Sequence, residues 1–110
     1  MDILVSKIID ICHRLYAKGF VTATDGNVSV RLANGNFLTT RTSVNKGMIT
    51  PNDIVEVDAQ GNVIPNPKSQ VSDPELLPST ELPMHLYIYS QRLDVNAVVH
   101  AHPTYATGFA

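Results

Sequence analysis

Apolar residues recur at two different spacings along this chain, and the spacings predict its helices and strands. A repeat of three to four residues predicts an amphipathic helix over residues 2–18, ended by Gly19. Strict alternation then predicts strands at 28–32, 37–40 and 54–58, with a hairpin turn between the first two at Asn34-Gly35. The buried face of the helix would consist of Leu4, Ile8, Ile11, Cys12 and Leu15.

The second half of the chain predicts another helix and another strand. The helix begins with Ser79 or Thr80 as its N-cap and places Leu82, Leu86 and Tyr89 on one face. A polar, proline-rich segment from Pro65 to Pro78 precedes it and predicts a long surface loop. After Asp94 a β-branched run leads into His100 and His102, and Pro103 is suited to begin a further helix.

Composition and charge narrow the range of functions. The 110 residues have room for one domain, and 44% of them are hydrophobic. A net charge of -2 argues against electrostatic binding to nucleic acid or to an anionic membrane. Lys7 and Asp10 interrupt the apolar N-terminus, so no signal peptide is expected, and no run reaches the ~18 apolar residues of a membrane span. The single cysteine, Cys12, favours a reducing, cytoplasmic location.

His100 and His102 are the first candidates for chemistry. On a strand they would lie on the same face, about 6.5 Å apart at Cα, whereas on a helix they would point roughly 200° apart. Two converging neutral imidazoles suit Zn²⁺, yet a catalytic zinc site usually has three protein ligands. Three possibilities therefore remain open: Glu81 is the third ligand, the third ligand lies beyond residue 110, or the pair is an ordinary polar strand end without a metal.

Ser79, Thr80 and Glu81 are the second candidates. They stand at the predicted start of a helix, where backbone N–H groups and the helix dipole attract an anion such as phosphate. A plain helix cap is the alternative interpretation. The other histidines, His13 and His85, both fall on predicted helices, and neither has a spacing that recommends it as a ligand.

Four blocks of sequence, in this order and spacing, resemble the class II aldolase/adducin family. The blocks are Gly26–Arg31, Lys46–Val55, Pro78–Glu81 and Asn96–Pro103. They are most similar to the members that act on L-fuculose 1-phosphate. The resemblance implies an α/β fold with three layers, α/β/α, around a mainly antiparallel central sheet. It also implies that residues 1–110 are the N-terminal part of a single class II aldolase-like domain.

The resemblance further implies an activity and the residues responsible for it. A zinc-dependent aldolase would cleave a ketose 1-phosphate such as L-fuculose 1-phosphate into dihydroxyacetone phosphate and an aldehyde. His100 and His102 would be the first two zinc ligands, with the third histidine beyond residue 110, and Glu81 would be the catalytic acid and base. The family also implies a cyclic homotetramer. The substrate phosphate would be bound by Asn27, Thr42, Ser43, Ser79 and Thr80.

One departure from the family pattern and two alternatives accompany this expectation. Thr40-Arg41-Thr42-Ser43 stands where the family commonly has Thr-Pro-Ser/Thr-Gly, so Arg41 would either strengthen phosphate binding or bind a carboxylate of a different substrate. A sister sugar-phosphate epimerase or dehydratase is the first alternative, although epimerases tend to have aspartate where Glu81 stands. The second is a non-catalytic, adducin-like association module.

Overall fold

The computed structural model describes residues 2–19, 26–41, 45–65 and 81–101. Within these ranges the chain forms helices α1 (Asp2–Ala17) and α2 (Leu82–Gln91) and strands β1 (Asn27–Arg31), β2 (Phe37–Thr40), β3 (Ile54–Val57) and β4 (Ala97–His100). A short 3-10 turn, Pro51–Asp53, leads into β3. The strands form one antiparallel sheet in the order β3-β2-β1-β4.

The spacing of apolar residues predicted these elements closely. Strands β1, β2 and β3 each begin and end within one residue of their predictions, β4 ends at His100, and α1 ends one residue earlier than expected. The predicted N-cap of α2 differs: the helix starts at Leu82 with Glu81 as its N-cap, while Ser79 and Thr80 lie outside the described residues. The predicted loop beyond Pro65 and the helix after Pro103 also lie outside them. Neither described helix is long and apolar enough to cross a lipid bilayer.

Helix α1 covers one face of the sheet. Its residues Ile8 and Cys12 are completely buried against Val28 and Leu38, whose side chains alternate onto this face of β1 and β2. Burial raises the pKa of the Cys12 thiol to about 11, although the nearby charge of Lys46 opposes this shift. Cys12 is therefore a small core residue and not a reactive thiol.

Helix α2 covers the opposite face, so the described elements form three layers: α1, the sheet and α2. The second core contains Phe37, Val55, Val57, Leu82 and Tyr89. The rings of Phe37 and Tyr89 are in contact, with their centroids 4.6 Å apart. This α/β/α arrangement around an antiparallel sheet confirms the fold class that the resemblance implied.

Arg31, at the end of β1, forms hydrogen bonds with the end of α2 and with the segment that leads into β4. Its Nε donates to the carbonyl oxygen of Val95 at 3.1 Å, and its Nη2 donates to the carbonyl oxygens of Tyr89 and Arg92 at 3.0 and 3.2 Å. The guanidinium carbon also lies 5.0 Å from the centroid of the Tyr89 ring. A cation at these carbonyls complements the negative end of the helix dipole. Arg31 therefore fixes the end of the helix over β1.

Replacing Arg31 should destabilise the protein much more than replacing an exposed arginine. Arg31→Met removes all three hydrogen bonds to main-chain carbonyls, and we expect the free energy of unfolding to fall by about 2 kcal/mol. The matched control is Arg92→Met, because the Arg92–Asp94 ion pair is more than 60% exposed on both sides and contributes little. Urea denaturation of the intact protein measures both effects. Equal midpoints for the two variants would contradict the role given to Arg31.

Candidate active site

The polar residues of β1 and β4 meet on the face of the sheet that α2 covers. The register of the two antiparallel strands places Asn27 opposite His100 and Ser29 opposite Val98. Asn27, Ser29 and Thr39 are all completely buried. Because side chains alternate along a strand, these residues point to the same face as His100. A buried polar strip therefore begins where β1 starts and β4 ends.

Helix α2 presents its own polar residues to this strip. Glu81, His85 and Tyr89 are spaced four residues apart, so they follow one face of the helix. Glu81 makes no capping hydrogen bond with its side chain. Instead, Nδ1–H of His100 donates to Oε2 of Glu81 at 2.5 Å. Both side chains are about 30% exposed, so this carboxylate–imidazole pair lies at the edge of the buried strip.

Asn27 is held by two hydroxyl groups of β2. Its Oδ1 accepts hydrogen bonds from Oγ1 of Thr39 at 3.1 Å and from Oγ1 of Thr40 at 2.5 Å. These contacts fix the orientation of the amide, because only its oxygen can accept them. The Nδ2 donor is buried and has no hydrogen-bond acceptor among the described residues. The amide is therefore suited to donate a hydrogen bond to a further oxygen atom, such as a phosphate oxygen.

His85 and Tyr89 share one hydroxyl partner on β1. The Oγ atom of Ser29 lies 2.7 Å from Nδ1 of His85 and 2.8 Å from Oη of Tyr89. The pKa of His85 is lowered to about 4, mainly by burial and also by the charge of His100, while the charge of Glu81 partly opposes this shift. Burial also raises the pKa of Tyr89. His85 is therefore a neutral imidazole inside the protein near neutral pH.

His85 is the residue that sequence reasoning missed. Its spacing to the other histidines does not suggest a metal site. The available signal was its spacing to Glu81, since residues four apart share a helix face and α2 carries Glu81 toward His100. A polar residue one turn after a candidate catalytic residue is expected to lie beside the same site.

The structure brings together three of the residues expected at the site: Asn27, Glu81 and His100. The other five, Thr42, Ser43, Ser79, Thr80 and His102, lie outside the described residues. Among the residues that are described, no group of three or more His, Cys, Asp or Glu side chains could hold a metal ion. Because Nδ1 of His100 is bonded to Glu81, this ring would bind a metal through Nε2.

Arg41, the departure from the family pattern, is paired with a carboxylate of its own chain. Its Nε donates to Oδ1 of Asp53 at 2.5 Å, and its backbone N–H donates to the carbonyl oxygen of Asp53 at 2.9 Å. Although burial acts to raise it, the pKa of Asp53 is lowered overall by hydrogen bonds from Thr50 and Arg41. Arg41 thus joins the end of β2 to the turn that precedes β3.

Comparison with known proteins identifies one family and two kinds of enzyme. The sequence pattern described as "Class II Aldolase and Adducin N-terminal domain" matches residues 6–110. An L-fuculose phosphate aldolase from Methanococcus maripaludis is 37% identical over 110 residues, which are 100% of this chain and 54% of that protein. A methylthioribulose-1-phosphate dehydratase from Yersinia enterocolitica is 30% identical over 96% of this chain and 47% of its own length.

A solved structure agrees with the sequence comparison. The L-fuculose-1-phosphate aldolase from Thermus thermophilus superimposes on this chain with a TM-score of 0.72 and 33% identity. The superposition covers 93% of this chain and 48% of that structure. The chain therefore spans about half the length of the relatives that it matches, and its described elements adopt their fold.

The buried neutral state of His85 should make the protein sensitive to acid in a defined range. The unfolded chain, where the pKa is near 6.5, binds this proton more readily than the folded chain, where it is about 4. The contribution of the neutral His85 ring to the free energy of unfolding should therefore be fully present above pH 6.5 and should decline as the pH falls toward 4. His85→Gln should reduce that slope in urea titrations across this range.

The matched control is His13→Gln, which changes an exposed histidine of α1. It should leave the pH dependence of stability unchanged. If His85→Gln and the wild-type protein show the same pH dependence of the free energy of unfolding, the buried neutral state of His85 is contradicted.

Proposed function

Because this chain belongs to the family of class II aldolase and adducin N-terminal domains, we propose that it is part of a zinc-dependent aldolase. Its substrate is a ketose 1-phosphate such as L-fuculose 1-phosphate, and its products are dihydroxyacetone phosphate and an aldehyde. The observation that carries this proposal is the contact of Glu81 with His100 beside the buried amide of Asn27. A carboxylate, an imidazole and an amide donor are the groups that this reaction needs.

The hydrogen bonding of the His100 ring is that of a zinc ligand. Histidines that bind metals commonly donate their second ring N–H to a carboxylate, which fixes the ring and makes it a better ligand. The bond between Nδ1 of His100 and Glu81 has this form. His100 and His102 would hold the ion together with a histidine beyond residue 110. When bound, zinc supplies a Lewis acid that polarises the substrate carbonyl and stabilises the negative charge of the cleaved bond.

Glu81 moves the proton that the cleavage requires. When the carbon–carbon bond breaks, its electron pair remains on the fragment that bears the ketone, and that carbon must receive a proton. The hydroxyl that becomes the aldehyde carbonyl loses its proton as the bond breaks; the carboxylate of Glu81 accepts that proton as a general base and then donates it to the carbon as a general acid, and in the direction of synthesis the same transfers run in reverse. Its position at the start of α2 keeps the carboxylate partly exposed at the edge of a buried polar strip, where a substrate can reach it.

Asn27 binds the phosphate group of the substrate. Its Nδ2 donor has no acceptor among the described residues, and its amide is fixed by Thr39 and Thr40. Thr42, Ser43, Ser79 and Thr80 complete the phosphate site in this proposal. Residues 1–110 then form the N-terminal part of a single domain. The complete enzyme is a cytoplasmic homotetramer, a proposal that rests on the family and on the single cysteine.

A dehydratase is the second candidate function. It is supported by the similarity to a methylthioribulose-1-phosphate dehydratase over 96% of this chain. Elimination of water from a ketose 1-phosphate also begins with a proton transfer next to a carbonyl, so the same carboxylate and imidazoles would serve it. The two functions differ in the bond that breaks, which is carbon–carbon in the aldolase and carbon–oxygen in the dehydratase.

Product analysis separates these candidates. The intact protein is incubated with zinc and, in separate reactions, with L-fuculose 1-phosphate, methylthioribulose 1-phosphate and ribulose 5-phosphate. Dihydroxyacetone phosphate from the first substrate supports the aldolase, loss of water from the second supports the dehydratase, and inversion of the third supports an epimerase. An intact protein that contains no divalent metal and alters none of the three would favour a non-catalytic, adducin-like module.

Glu81→Gln should abolish most of the cleavage activity and leave zinc binding in place. Glutamine has nearly the shape of glutamate but cannot move a proton, so kcat should fall by about 10²- to 10⁴-fold. Zinc content measured by elemental analysis should match that of the wild-type protein. Undiminished cleavage by Glu81→Gln would exclude the assigned role.

Asn27→Ala should weaken binding of the phosphate group. The variant lacks a hydrogen bond to a charged group, and we expect KM for the sugar phosphate to rise by about 10-fold or more. Competitive inhibition by inorganic phosphate should weaken by a similar factor, whereas zinc content should not change. Thr39→Ser, which keeps the hydroxyl that holds Asn27, is the matched control. An unchanged KM in Asn27→Ala would remove Asn27 from the phosphate site.

A further inference from the structure

One nitrogen atom of His85 is left without a partner beside the candidate site. Nδ1 contacts Ser29, but Nε2 is buried and has no hydrogen-bond partner among the described residues. Leaving such an atom unpaired costs free energy, so it needs an explanation. The Glu81–His100 pair and the buried amide of Asn27 do not account for it.

The hydroxyl groups next to His85 determine which of its nitrogens carries the proton. Ser29 and Tyr89 have one hydroxyl proton each, and the oxygen of Tyr89 also accepts the backbone N–H of Val98. If Tyr89 donates to Ser29 and Ser29 donates to Nδ1 of His85, every hydroxyl proton has an acceptor. Any other order leaves a buried hydroxyl proton without one among the described residues. Among the described residues, the order that gives both hydroxyl protons an acceptor is the one that places the proton of His85 on Nε2.

Glu81 is the carboxylate residue that stands one helical turn before this donor. The backbone N–H of His85 donates to the carbonyl oxygen of Glu81 at 3.4 Å, so the two residues are one helical turn apart. Side chains at this spacing lie about 5 to 6 Å apart at Cβ, and the later one leans toward the start of the helix. The charges of both Glu81 and His100 act on the His85 ring. The carboxylate of Glu81 thus contacts the ring of His100 and belongs to the residue one helical turn before His85.

We propose that His85 is a positioning residue for Glu81. Its Nε2–H donates a hydrogen bond to the Glu81 carboxylate when that carboxylate leaves Nδ1 of His100 to act on the substrate. Glu81 then has a hydrogen-bond partner in each of its two positions, and the chain Tyr89–Ser29–His85 holds the second partner in place. This inference rests on the proposed function for the role of Glu81, whereas the tautomer of His85 does not depend on that function.

Nitrogen-15 NMR of the intact, zinc-loaded protein tests the tautomer directly. With labelled histidine, we expect His85 to show a protonated Nε2 and an unprotonated Nδ1. Adding dihydroxyacetone phosphate should move the Nε2 proton signal downfield as it gains a carboxylate acceptor, and this shift should be absent in Glu81→Ala. A proton on Nδ1, or an Nε2 signal that dihydroxyacetone phosphate does not move, would overturn the proposal.

Two substitutions separate the positioning role from a merely structural one. His85→Gln places an amide donor near the position of Nε2, whereas His85→Asn retains an acceptor for Ser29 but does not reach that position. We expect kcat of His85→Asn to fall about 10- to 100-fold with unchanged KM and zinc content, and His85→Gln to recover most of the loss. Equal kcat in the two variants would overturn the proposal.

The outcomes also distinguish this inference from the proposed function. If the wild-type protein cleaves no ketose 1-phosphate, the proposed function fails and the positioning role fails with it, whereas the NMR experiment still decides the tautomer of His85. If the wild-type protein is active and His85→Asn is as active, the function stands and the positioning role fails.

Discussion

The pairing of β1 with β4 is the constraint on which the candidate site depends. It places Asn27 opposite His100, so a residue from the start of β1 and a residue from the end of β4 share one face of the sheet. A slip of one residue in this register would turn His100 to the α1 face, away from Glu81, because side chains alternate along a strand. The core contacts of Val28 on one face and of Val98 on the other hold the register in place.

Local patterns in the sequence predicted most of the fold. The three-to-four spacing of Ile8 and Cys12 marks α1, and the alternation around Val28 and Leu38 marks two strands of the sheet, because these patterns follow directly from helix and strand geometry. Ser79 and Thr80 are good N-caps by residue type, so the sequence predicts an earlier start of α2 than the structure shows. The chain instead uses Glu81, whose side chain bonds to His100 and makes no capping bond.

The sequence predicted the members of the candidate site only where the residue type itself indicates acid–base or metal-binding chemistry. Glu81 and His100 could be selected from the sequence, and the structure places them in contact. The spacing of His85 to Glu81 indicates only that it lies near the site; its burial and its bond to Ser29 arise when α2 packs on β1, and those two residues are 56 positions apart in the chain. The unpaired donor of Asn27 is likewise a property of packing, since it depends on the hydroxyl groups of Thr39 and Thr40.

The contacts that Arg31 makes with α2 and with the approach to β4 join parts of the chain that are 58 to 64 residues apart. Bringing these distant parts of the chain together costs loop entropy before any of these hydrogen bonds can form. The hydrogen bonds alone contribute too little free energy to offset that cost. Assembly of the site is consequently tied to the same cooperative step that buries the second core. The contact of Glu81 with His100 therefore forms only in molecules that have completed this step.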